Sequence, residues 1–146
     1  MKGKDLRKES PRSPHIKLGD FLILGRTIDK CRAMLWGNIG EYHFDCPLDN
    51  QLFGFKGIKG EDFKKFVETG ATDEEITNWV NTNGLPKTKE EIEVWNKEVE
   101  SNNYSKYKDK KEWLGGENLR LGLDKDGTLF DFLDADDKDS TGPNVC

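Results

Sequence analysis

Apolar residues recur along this chain at three- and four-residue intervals, the spacing of one face of an α-helix. Behind Phe21, the positions Leu24, Ile28, Cys31 and Leu35 form one stripe, and Arg26, Asp29, Lys30 and Arg32 fall off it. Ser13 followed by Pro14 suits a helix start, with Pro where its missing N–H costs nothing. Gly19 and Gly25 interrupt the pattern, so residues 13–36 read as one helix or two, ended by Gly37 and Gly40. Leu48, Leu52 and Phe55 mark the next helix, and Phe63, Phe66 and Val67 another that closes at Gly70. Thr72 with Glu75, and Thr88 with Glu91, make two capping boxes, in which hydroxyl and carboxylate satisfy free N–H groups at a helix start. They precede Ile76, Trp79 and Val80, and Ile92, Trp95 and Val99, all expected to face inward with both tryptophans buried.

Beyond Val99 the periodicity thins. Leu119, Leu121 and Leu123 alternate as in a strand, and Asp126-Gly127 suits a hairpin turn. Thr128 equally caps a short helix, LFDFLD, that turns Leu129, Phe130 and Leu133 inward, and this reading is preferred. The expected fold is all-α or nearly so: one domain of five to seven short helices over residues 13–134. Residues 1–12 are expected to be flexible. Residues 135–146 read as an acidic, disordered tail with too little apolar surface to fold.

Composition narrows the function classes. Only 34% of the 146 residues are hydrophobic and the mean hydropathy is -0.83, so eight Phe and four Trp must supply much of the core. A net charge of -5, with no long Lys/Arg run, argues against nucleic acid. No window approaches the length of a membrane span, and MKGKDLRKESPRSP lacks the apolar stretch of a secretion signal. Three cysteines, Cys31, Cys46 and Cys146, are too few and too odd for a secreted disulfide scaffold. A cytoplasmic protein with three free thiols is the expectation.

Candidate chemistry is sparse. His43, Cys46 and Cys31 lack the paired spacing of a zinc site, and the Asp-rich tail lacks a calcium-loop pattern, so no metal or cofactor is expected. GGENLRLG has glycines but no following Lys-Ser/Thr, and with two imidazoles, His15 and His43, no triad is legible. Cys46 before Pro47 would sit at a helix N-cap, where free N–H groups favour a thiolate, but Asp49 in the same turn would repel it. It is kept as a candidate reactive thiol.

The runs SPHIKLGDFLILGRTIDKCRAMLWGNIGEY, CPLDNQLFGFKGI and TDEEITNWV, with EIEVWN and FDFLDADD, resemble the bacterial domain-of-unknown-function 5069 family. The likeness spans residues 11–137. It departs at Asp20, where Gly is common, and in the lysine-rich residues 106–111. That resemblance implies a recurring R-x-x-D-K-x-R-A core and GEY turn, here Arg26, Asp29, Lys30, Arg32, Ala33, Gly40, Glu41 and Tyr42, with no assigned reaction. Such a fixed pattern asks more than a surface comb, which any alternating charges would satisfy. Asp29 is therefore expected to be partly buried, holding Arg26 or Arg32. Two classes stay open: a non-catalytic binding or interaction domain, with a protein partner or a homo-oligomer in scope, or a small enzyme or anion-binding protein. In the second, Arg26, Lys30 and Arg32 would hold a carboxylate or phosphate, oriented by Asp29 or Glu41 beside Tyr42.

Overall fold

In a computed structural model that describes residues 3–139 and 146, seven helices follow one another and no strand is present among the described residues. They are α1 (Leu24–Trp36), α2 (Pro47–Lys56), α3 (Gly60–Glu68), α4 (Asp73–Thr82), α5 (Lys89–Glu100), α6 (Lys108–Arg120) and α7 (Leu129–Lys138). The all-α expectation holds. Helix α1 is the hub, packed against α2, α3 and α4, while α6 pairs with α7.

Local chemistry sets most boundaries. Both capping boxes form: the Thr72 and Thr88 hydroxyls accept from the Glu75 and Glu91 N–H groups, and the glutamates reach back to the threonine N–H groups. Thr128 accepts from the Asp131 N–H, so the 128–133 segment is helical and the hairpin does not form. Leu119 lies within α6, and the Leu123 N–H returns to the Asn118 carbonyl at 2.7 Å. Gly84, at φ 71°, passes so close to the Lys56 carbonyl that any Cβ would collide with it. That approach lets the Leu85 N–H reach the same carbonyl and pins the α4–α5 link to the end of α2.

Aromatic rings fill the centre. Phe44, Phe53 and Phe63 cluster with centroids 5.2–6.1 Å apart, Phe66 stacks on Trp79, and Phe55 on Trp95. Trp95 is buried, whereas Trp79 is only partly so.

Three expectations need correction. Residues 13–23 are not helical, and α1 begins at Leu24. Phe21, Leu22, Ile23 and Leu24 are buried in succession, which suits a chain enclosed on all sides rather than an amphipathic turn. Backbone bonds between Phe21 and Leu18 and from the Ile23 N–H to the Pro14 carbonyl take the place of helical bonding there, with the Asn96 side chain accepting from the Leu22 N–H and donating to the Asp20 carbonyl. Next, the first residues contribute to the core: Leu6 is buried beside Ala33 and Tyr42, and its N–H donates to the Asn38 carbonyl. Finally, α7 runs through Lys138, so residues 135–138 belong to the fold and not to a tail. Ion pairing supplies the anchorage that apolar content could not. Of the remaining tail, residues 140–145 lie outside the described residues.

Candidate functional site

Helix α1 presents charge to the interior as well as apolar groups. Arg26 is 1% exposed, Lys30 0% and Asp29 4%, so this is no wet face. The two sides of α1 are both enclosed, by α2–α4 on one and by the first residues and α7 on the other. Each charge therefore needs a partner, because an unpaired buried ion is far costlier than a paired one.

Arg26 grips Asp137 of α7 bidentately at 2.8 and 3.0 Å, and its Nε donates to the Cys146 carbonyl at 3.0 Å. Asp137 is shared with the Tyr42 hydroxyl at 2.9 Å, and the guanidinium lies over the Tyr42 ring at 5.5 Å. Burial pushes the Tyr42 phenol up to about 12, despite a hydrogen bond to Ser10. Lys30 pairs with Asp49 of α2 at 2.9 Å, both fully enclosed. Thr27 Oγ1 donates to the same carboxylate, and the Asp45 N–H to its other oxygen. Burial draws the Lys30 ammonium below the usual lysine range, with Asp49 opposing that pull.

Asp29 does not hold Arg26 or Arg32 as the sequence suggested. It takes Arg12 instead, through two guanidinium bonds and the Arg12 backbone N–H at 2.8 Å. Arg12 and Arg32 then converge on Asp73 of α4, at 2.9 and 2.7 Å. Burial works against the Arg12 charge and would raise the Asp73 carboxyl, yet the hydrogen bonds outweigh it, holding Arg12 high and Asp73 low. Glu41 is exposed, next in sequence to Tyr42. Sequence reasoning found the α1 charges but missed Arg12, Asp73 and Asp137 as partners, and read Asp49 only as a repulsive neighbour of Cys46. Interhelical partners leave no local periodicity. The one available signal was parity, since fixed charges on an interior helix demand counterions elsewhere.

Cys46 is no free thiol: it is disulfide-bonded to Cys146, 100 residues away, with Cα atoms 6.2 Å apart. Only Cys31 remains free, buried, its thiol pushed up to about 12 by burial with Asp49 adding to it. An odd cysteine count is equally what one bridge plus one core thiol produces. Cys46 does cap α2 in extended conformation with Pro47 at the first helical position. Lys30 Nζ donates toward Cys46 Sγ at 3.3 Å and lies 3.8 Å from Cys146 Sγ.

Beside the bridge a cleft of about 340 Å³ opens between α2, α6 and α7, lined by Pro47, Leu48, Trp113, Leu129, Leu133 and Cys146, with Tyr104 and Lys110. Tyr104 holds φ 57°, a conformation that bulky side chains seldom adopt. Lys110 lies 5.4 Å from the ring centroids of both Tyr104 and Tyr107. A third grouping joins His15 to Glu100 and Asp131 at 3.1 Å each and to Asp134 at 3.6 Å. His43 is exposed and does not share a site with the cysteines. None of the helices among the described residues is long and apolar enough to cross a membrane.

Comparison with curated proteins returns no match. The pattern of DUF5069, a domain of unknown function, matches residues 8–139, a span that contains Arg12, the whole of α1, Asp49, Asp73 and Asp137. The chain belongs to the DUF5069 family.

Proposed function

We propose that this protein is a non-catalytic binding domain whose ligand is a small amphipathic carboxylate, held in the cleft between α2, α6 and α7. The carrying observation is the cleft itself: apolar walls with a single charged side chain, Lys110, among the described residues lining it. A volume of about 340 Å³ falls within the ~300–1,000 Å³ of small-molecule sites, where apolar walls give affinity and a few polar groups fix orientation. Lys106, Lys108 and Lys111 neighbour Lys110 in sequence and outnumber the interleaved Asp109 and Glu112, a local cationic excess on a chain of net charge -5. The same reading has no nucleic-acid partner and a bacterial cytoplasmic setting.

An anion on Arg26, Lys30 and Arg32 has less support. Arg26 and Lys30 are enclosed and already bonded to Asp137 and Asp49, which leaves little for a ligand to claim.

Decanoate tests the proposal, with decyltrimethylammonium at the same submicellar concentration as the control for charge. Decanoate should raise the melting temperature and change tryptophan emission, since a ligand that binds only the native state stabilises it. Equal responses to both amphiphiles, or none to decanoate, would contradict it.

A further inference from the structure

We infer that the Cys46–Cys146 bridge is a reversible redox site, reduced by dithiols or glutathione-class thiols, in which Lys30 holds Cys46 as the leaving thiolate. It does not rest on the ligand proposed for the cleft, although the reductant would enter by the same cleft. The bridge is asymmetric. Cys146 lines the cleft, whereas Cys46 caps α2 and is nearer to the buried ammonium.

Lys30 carries the case. An ammonium has three donors, and among the described residues it has one full-strength acceptor, Asp49. Its other contacts are the two bridge sulfurs, which as neutral disulfide atoms accept weakly. A fully enclosed cation therefore stands under-satisfied beside a group that becomes anionic on reduction. Free N–H groups at the start of the ten-residue α2 add to the same preference. Asp49 opposes it less than its place in the turn implies, because Lys30, Thr27 and the Asp45 N–H already occupy its oxygens. Among the described residues, Arg26 and Asp137 also lie nearby and offset each other, and Arg26 donates to the Cys146 main-chain oxygen as well. Stabilising the reduced form makes a disulfide more oxidising and easier to reduce. In a reducing compartment, bridges of this kind are characteristically catalytic or redox-sensing.

The step balances as follows. One thiolate of a dithiol attacks Cys146 Sγ from the cleft, forming a mixed disulfide and breaking the Cys46–Cys146 bond, whose electron pair leaves on Cys46 beside Lys30. The second thiol of the reductant, or with glutathione a second molecule of it, loses its proton to solvent and attacks the reductant's sulfur in the mixed disulfide. Cys146 then leaves as a thiolate and takes up a proton. The dithiol is oxidised to a disulfide, and the protein gains two electrons.

Equilibration of the full chain in graded ratios of reduced to oxidised glutathione, followed by acid quench, alkylation and peptide mapping, reads the bridge directly. We expect half-reduction within the accessible range of ratios. Less than a tenth reduced in a hundredfold excess of reduced glutathione would overturn the inference. Lys30→Met should shift the midpoint at least tenfold toward the oxidised form, and Lys30→Arg should restore most of that shift. No shift in a folded Lys30→Met would likewise overturn it. Should Lys30→Met fail to fold, the parent protein still decides. After reduction, its 240 nm thiolate band, taken as the difference from reduced Cys46→Ser, should titrate with a midpoint below the ~8.5 of an ordinary thiol. A midpoint at or above that value would overturn the assignment of Lys30.

Discussion

Helix α1 and the α2–α6–α7 cleft invert the usual association between charge and function. The α1 region concentrates Arg26, Asp29, Lys30 and Arg32, yet every one of them is bonded to another part of the chain. By contrast, the cleft has one lysine among apolar walls and is the part of this pair with room for a ligand. Buried ion pairs are weak evidence for net stability, because desolvation consumes most of their attraction. What they do enforce is correctness: each pair here joins α1 to a distant segment, namely Arg12, Asp49, Asp73 or Asp137, and a misplaced segment would strand a charge. On the proposed reading, the charged motif is scaffold and the poorly charged cleft is the site.

The sharpest break of that contrast is Arg26→Ala. It leaves Asp137 enclosed without its guanidinium, and removing one partner of such a pair costs about 3–5 kcal/mol. Urea denaturation should show a loss of that order, and Asp137→Ala a similar one. Losses below about 1 kcal/mol for both would return α1 to a surface comb. Trp113→Ala should behave oppositely. Trp113 is 42% exposed, packed edge-on to Phe132, so its removal should cost well under the ~3–5 kcal/mol of a core aromatic while abolishing the decanoate response. A large stability loss with binding intact would reverse the roles assigned to the two regions.

Smaller effects sharpen the frame around them. Thr72→Ala deletes the cap that begins α4, next to Asp73, and should cost about 1 kcal/mol by thermal or chemical melts. Loss near zero would mean that Asp73 is placed by its arginines alone. The smallest effect belongs to His15. Burial disfavours its charge, but Glu100 and Asp131 outweigh that and raise its pKa in the folded protein. The sign follows: its stabilisation is complete below the ~6.5 of an unfolded histidine and is lost as pH climbs through the raised folded value. With the ring about a third exposed, solvent screening keeps the effect under about 1 kcal/mol. Denaturation of His15→Asn should differ from the parent at pH 5.5 and converge with it at pH 9. An equal deficit at both values would assign His15 to packing.

Legibility in the sequence divided along physical lines. Local features were readable: Pro47 at the start of α2 depends on its own missing N–H, and the two capping boxes and the Thr128 cap of α7 depend on residues three positions apart. Long-range ones were not. Asp137 in an acidic stretch resembles any solvated tail until Arg26 is placed 111 residues away. Cys146 gave no sign of its bridge because spacing carries no information on a pair 100 residues apart. Residues 21–24 misled for a different reason: an apolar run enclosed on all sides has no periodicity to reveal, and its hydrogen bonds go to Leu18, Pro14 and the Asn96 side chain of α5. The cleft was invisible for the same cause, since Pro47, Trp113 and Leu133 share no local pattern.

The central claim, that the ligand goes to the cleft and the α1 charges only build the scaffold, comes down to one titration. Decanoate binding, followed by tryptophan emission, is compared in the parent, in Lys110→Glu and in Arg32→Ala, the α1 charge whose partner Asp73 is the most open to solvent. Binding lost in Lys110→Glu and retained in Arg32→Ala is the predicted result. Binding retained in Lys110→Glu and lost in a folded Arg32→Ala would contradict it.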